Sequence, residues 1–179
     1  VDNQTAQLNA ALKAFNLSLF DNLVSTAESP QWMYIRNYNY PNKVITANGT
    51  YIDGLLKCQD KNTSVNAELW RFEYNADKTA VKIISKVQPT GAIKNVGQSA
   101  SALLKLVSGA SDFQITRTAF GFSIGVKGGG TYDNLHCDGT YRLVGWSAEV
   151  AASSWIFENY VPTISTDGDW NTPSSWDIG

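Results

Sequence analysis

Apolar and polar positions alternate with period two along most of this chain, and the alternation itself recurs on a longer period. Side chains two residues apart share one face of a strand, so such alternation predicts half-buried β-strands. Three stretches repeat one layout. Each opens on an alternating strand, at Met33-Tyr34-Ile35, Val81-Lys82-Ile83 and Phe122-Ser123-Ile124. A second apolar strand follows, at Leu55-Leu56-Lys57-Cys58, Leu103-Leu104-Lys105-Leu106 and Tyr141-Arg142-Leu143-Val144. Each stretch ends on an anchor, Trp70-Arg71-Phe72, Phe113-Gln114-Ile115 or Trp155-Ile156-Phe157, so the anchor aromatics lie 43 and 42 residues apart. A fixed period of this length outranks local propensity. It makes a strand of residues 100–106, whose composition alone would suit a helix.

Outside the repeats the pattern changes. Leu8, Leu12, Phe15 and Leu19 fall at spacings of four, three and four, one apolar stripe of a helix over residues 2 to 25 or so. Asp2 or Asn3 can cap it, and Ser29-Pro30 lies where the chain must leave helical geometry. From Gln31 to Tyr160 strands are punctuated by turn signals such as Asn48-Gly49, Asp53-Gly54, Gly128-Gly129-Gly130 and Asp138-Gly139. After Tyr160 comes a polar run with Trp170 and Trp176 and little periodicity. The expected organisation is a helix and linker over 1–30, an all-β domain over 31–160, and a tail or linker to a further domain over 161–179.

Periods near 42 also occur in helical solenoids and propeller blades. Period-two alternation excludes the first, and three units are too few for the second. Three units of about four short strands instead predict a closed barrel capped by hairpins, a β-trefoil. The approach Trp32-Met33-Tyr34-Ile35-Arg36-Asn37, the three anchors, and the ending Ser153-Ser154-Trp155-Ile156-Phe157-Glu158 resemble ricin-type β-trefoil lectin modules, in particular those attached to secreted glycan-processing proteins of bacteria. The likeness covers residues 31–160. Such modules carry Gln-x-Trp at each anchor, whereas here Glu68, Ser111 and Ser153 stand two before the anchors and the second anchor is Phe113.

Composition narrows the function. With 43% hydrophobic and 17% charged residues, the 179-residue chain is of globular type and long enough for an apolar core of its own. The net charge of −2 and the lack of any Lys/Arg run speak against nucleic acid. No apolar stretch long enough to span a bilayer as a helix is present. The chain opens on Val1, not Met, which suggests processing or a longer parent. Cys58 and Cys137 are either two buried thiols or one bridge, and spacing does not decide between them. Sequons at Asn3, Asn16, Asn48 and Asn62 would accept glycans only in a eukaryotic secretory pathway.

Catalytic signals are sparse. His136, the one histidine, adjoins Cys137, but neighbours on a strand point to opposite faces, which is poor geometry for a nucleophile and its base. Cys and His are too few for a zinc site. The glycine run at 128–130 lacks the Gly-Lys-Ser/Thr ending of a phosphate loop. No enzyme, cofactor or metal is expected. Sugar recognition needs less: an aromatic face to stack on, and an Asp, Asn or His to fix hydroxyls. The lectin resemblance implies an Asp near an early turn of a unit with an aromatic some residues on. In the third unit that points to Asp138 with Tyr141, Trp146 and His136; in the first, to Asn48 and Asp53 flanking Tyr51. The second unit has only Asn95 and Gln98 and is expected to be blind. The expected function is a non-catalytic, carbohydrate-binding module of a secreted or cell-surface protein, bringing a neighbouring enzyme to glycan. The alternative is a degenerate trefoil with a structural or protein-interaction role.

Overall fold

The structure is a computed structural model, and it describes residues 3–5, 7–8, 22–47, 55–95, 104–108 and 111–161. Twelve strands run through the described residues: β1 (Met33–Asn37), β2 (Lys43–Thr46), β3 (Lys57–Asp60), β4 (Trp70–Tyr74), β5 (Val81–Ser85), β6 (Ala92–Asn95), β7 (Leu104–Val107), β8 (Phe113–Thr118), β9 (Gly121–Val126), β10 (Asn134–Cys137), β11 (Leu143–Trp146) and β12 (Trp155–Asn159). Six of them close a ring, with every neighbouring pair antiparallel: β1 with β4, β4 with β5, β5 with β8, β8 with β9, β9 with β12, and β12 back to β1. The other six form three hairpins, β2–β3, β6–β7 and β10–β11, attached in turn to β1, β5 and β9. A barrel closed in this way leaves no open edge.

The three-fold repeat appears directly in the register. Met33 faces Trp70, Val81 faces Phe113 and Phe122 faces Trp155, so each opening strand meets the anchor of its own unit at the same place. All three anchor rings are fully buried. Around them Met33, Ile35, Phe72, Ile83 and Ile124 fill the barrel, and Ile45, Ile93 and Leu135 enter from corresponding positions of the three hairpins. Each large side chain so buried contributes roughly 1.5–3 kcal/mol. The indole N–H of Trp70 donates to the Ile45 carbonyl at 2.8 Å, and that of Trp155 to the Leu135 carbonyl at 3.0 Å. Phe113 has no such donor, and in its unit the backbone N–H of Ser111 serves the Ile93 carbonyl at 3.2 Å. The phenylalanine therefore leaves no buried acceptor orphaned. Gly121, which opens β9 at φ 137°, has a physical need to be glycine, since a Cβ there would lie 2.7 Å from the Trp155 carbonyl oxygen.

Three expectations are corrected. The first middle strand starts at Lys57, not Leu55, and runs on to Asp60. The third middle strand starts at Leu143, not Tyr141, because Tyr141 belongs to the turn and adopts a left-handed φ of 61°. The N-terminal helix cannot extend to residue 25, because Val24 already bridges Phe72 in parallel and the Ser25 N–H donates to the Phe72 carbonyl. Residues 3–5 and 7–8 are helical, and the rest of that prediction lies outside the described residues. Residues 104–107 form the strand expected from the repeat register.

Candidate functional site

The β10–β11 hairpin carries four of the sequence-predicted site residues, and it divides them between two places. Pairing sets Asn134 opposite Trp146 and His136 opposite Val144. Alternation sets these four on the side away from Leu135, Cys137 and Leu143, which turn into the core; Asn134, His136 and Trp146 are half-buried there and Val144 is fully buried between them. His136 and Trp146 lie with ring centroids 5.7 Å apart and 33° between planes. Tyr132, two residues ahead of β10, also packs against Trp146 with centroids 5.9 Å apart, and it is 44% exposed. The result is a shallow aromatic shelf of Tyr132, Trp146 and His136. Tyr132 had escaped the sequence reading. Its spacing from Asn134 and His136 continues the outward alternation and was the signal available.

One polar partner fixes the histidine ring. His136 Nδ1 lies 2.8 Å from the Ser153 hydroxyl. Ser153 is buried in the 3-10 turn Ala151–Ser153 that precedes the third anchor, at the position where a glutamine stands in the ricin-type pattern. Burial lowers the His136 pKa below its ordinary value, and the nearby Asp138 charge only partly opposes this. With Nδ1 engaged by Ser153, Nε2 of the neutral ring is left to serve a ligand hydroxyl, as donor or acceptor according to the tautomer.

Asp138 and Tyr141 do not join the shelf. Asp138 holds the hairpin's own turn: Oδ1 accepts from the backbone N–H of Thr140 and Arg142 and from the Thr140 hydroxyl, and Oδ2 accepts from the Arg142 guanidinium at 2.7 Å. Burial would raise this carboxyl's pKa, but those donors together take it below the ordinary range. Its acceptor capacity is committed to the turn. Tyr141 reaches instead to the first unit, where it packs edge-on against Tyr40 with centroids 5.3 Å apart.

The other two units present less. Asn48, Tyr51 and Asp53 lie outside the described residues. By register Thr46 and Gln59 occupy the positions of His136 and Trp146 in the first hairpin, so no ring stands there. In the second unit Asn95 ends β6, and Gln98 lies outside the described residues. A larger hollow of about 650 Å³ sits between residues 24–32 and the barrel, lined by Trp32, Lys86 and Tyr160 among others. The Lys86 ammonium lies over both rings, 5.7 Å and 4.7 Å from their centroids, so each already has a cation against one face. Among the described residues no group of His, Cys, Asp and Glu could hold a metal, and no helix is long and apolar enough to cross a membrane.

No protein-family model matches this chain, and no curated protein matches it in sequence. Solved structures do match in fold. The agglutinin of Rhizoctonia solani superposes with a TM-score of 0.65 at 10% identity, over 76% of this chain and 99% of that one. The ricin B-like lectin of Macrolepiota procera, solved with lactose, gives 0.60 at 18% identity over 75% and 99%. A mosquitocidal holotoxin gives 0.62 at 17% identity, covering 72% of this chain but only 17% of the toxin. The fold is the β-trefoil that these proteins share, ricin B-like lectins among them.

Proposed function

We propose that this protein is a non-catalytic carbohydrate-binding module whose glycan contact is the shelf of Tyr132, His136 and Trp146. The observation that carries the reading is an aromatic surface with exposed Tyr132 and half-buried Trp146, on a hairpin of a lectin-type fold, with a polar ring held beside it by Ser153. An indole and a phenol present flat faces to sugar C–H groups, while the imidazole exchanges hydrogen bonds with a hydroxyl. The shallow geometry suits a terminal sugar bound weakly, of use when the module holds a neighbouring catalytic domain near a secreted or surface glycan. A lectin solved with lactose on the same fold supports the reading. Asn48, Tyr51 and Asp53 would form a second contact in the first unit.

The competing reading is a trefoil that has lost its sugar sites and serves as a structural or protein-interaction domain. The commitment of Asp138 to its own turn favours it. A glycan array on the folded protein separates the two. Binding that falls at least about tenfold in Trp146→Ala and His136→Ala, with the melting temperature preserved within a few degrees, is the expected result. A folded protein that binds no glycan leaves the structural reading.

A further inference from the structure

The tip of the β10–β11 hairpin reaches across to the first unit and closes a separate cleft of about 290 Å³ there. Its walls are Asn39, Tyr40 and Asn42 from the β1–β2 loop, Lys43 at the start of β2, Asp60 at the end of β3, and Tyr141. Lys43 and Asp60 are directly paired in the register and joined by an ion pair of 3.0 Å. The Lys43 ammonium also lies 4.2 Å from the centre of the Tyr141 ring. The Asp60 carboxylate faces solvent, its side chain 75% exposed, and Tyr141 is 42% exposed.

Tyr141 is held in this place against its own preference. A bulky residue at φ 61° is strained, and glycine or asparagine would take the same turn more easily. The backbone does not need the ring: its N–H donates to the Asp138 carbonyl and its C=O accepts from the Cys58 N–H, each at 2.9 Å, and any residue supplies those groups. The phenol is what a smaller residue would lose. Two tyrosines set edge to face, an open carboxylate and two amides are together the side-chain set that holds an uncharged pyranose. A C–H face rests on a ring, and adjacent hydroxyls donate to the carboxylate. The Lys43–Asp60 pair leaves the cleft with no net charge, which favours a neutral sugar over an acidic one.

We infer that the cleft between Tyr40, Lys43, Asp60 and Tyr141 is a further glycan subsite, taking an uncharged hexose and built jointly by the first and third units. The inference rests on the carbohydrate-binding reading above, and the two sites occupy different surfaces. Backbone-amide NMR of the protein titrated with methyl galactoside, methyl glucoside and methyl mannoside tests both at once. The expected result is movement of the Asn42, Lys43 and Tyr141 amides with at least one of these sugars, separate from movement of the His136 and Trp146 amides.

Tyr141→Gly should abolish the cleft response, leave the shelf response intact, and melt no lower than the parent because it relieves the strained turn. Asp60→Asn should weaken the cleft response about tenfold. Movement confined to the shelf overturns the cleft and leaves the shelf standing. Movement confined to the cleft supports this inference and removes the shelf. A protein that responds at neither place ends both. Unchanged cleft binding in Tyr141→Gly, or a marked loss of stability in that variant, returns Tyr141 to a purely structural role.

Discussion

His136 shows how far a residue's neighbours, more than its type, decide what it can do. Sequence placed it beside Cys137 and Asp138, a trio that invites a catalytic reading. Strand alternation separates them: Cys137 enters the core, His136 faces Trp146 and Ser153, and Asp138 holds the turn. Burial depresses the imidazole pKa, so the folded state favours the neutral ring. The sign follows from linkage. The stability contributed by the neutral form is fully present above the unfolded value of about 6.5 and is lost as pH falls through the lower folded value. A proton-NMR titration of the single imidazole should give a midpoint below that of an unfolded peptide. If the shelf binds sugar through the neutral ring, affinity should fall over the same interval.

Among the elements, the β10–β11 hairpin is the most informative because it carries both proposed surfaces. Its outer face makes the shelf, and its tip makes one wall of the cleft. Asp138 keeps those two geometries in register by tying Thr140 and Arg142 to the turn. Asp138→Ala should therefore cost stability, on the order of 1 kcal/mol given the partial exposure of the site, visible as a lower denaturation midpoint. It should leave the shelf's glycan affinity nearly unchanged. An affinity loss as large as that of Trp146→Ala, with stability intact, would return Asp138 to the role of a direct ligand. The hairpin's position was legible from Asp138-Gly139 between apolar runs. Its division of labour was not, because Tyr40 lies far away in sequence from the Tyr141 it meets.

At the scale of the whole molecule, three units share one interior, and groups from different units meet there. Cys58 of the first unit and Cys137 of the third are free, buried thiols in the same apolar cluster. Burial pushes the Cys58 thiol well above its ordinary range, and the neighbouring Cys137 adds to the effect. Both thiols are buried away from solvent, so both should resist a thiol reagent in the native protein and react together only when the barrel opens. A colorimetric thiol assay across a urea titration should show both groups appearing with the loss of tryptophan burial. Early labelling of either one would mean that a hairpin opens independently of the barrel.

The repeat period, the opening strands and the three anchor rings were readable from residue order. A closed barrel accepts only apolar side chains at its inward register positions, and that demand recurs once per unit. Only the tertiary structure decided which polar and aromatic groups face one another. That depends on contacts between hairpin tips and loops of different units, which no local period encodes. So the chain's pattern set the framework and picked out His136 and Trp146 together, while folding alone assigned Asp138 to a turn and carried Tyr141 to Tyr40.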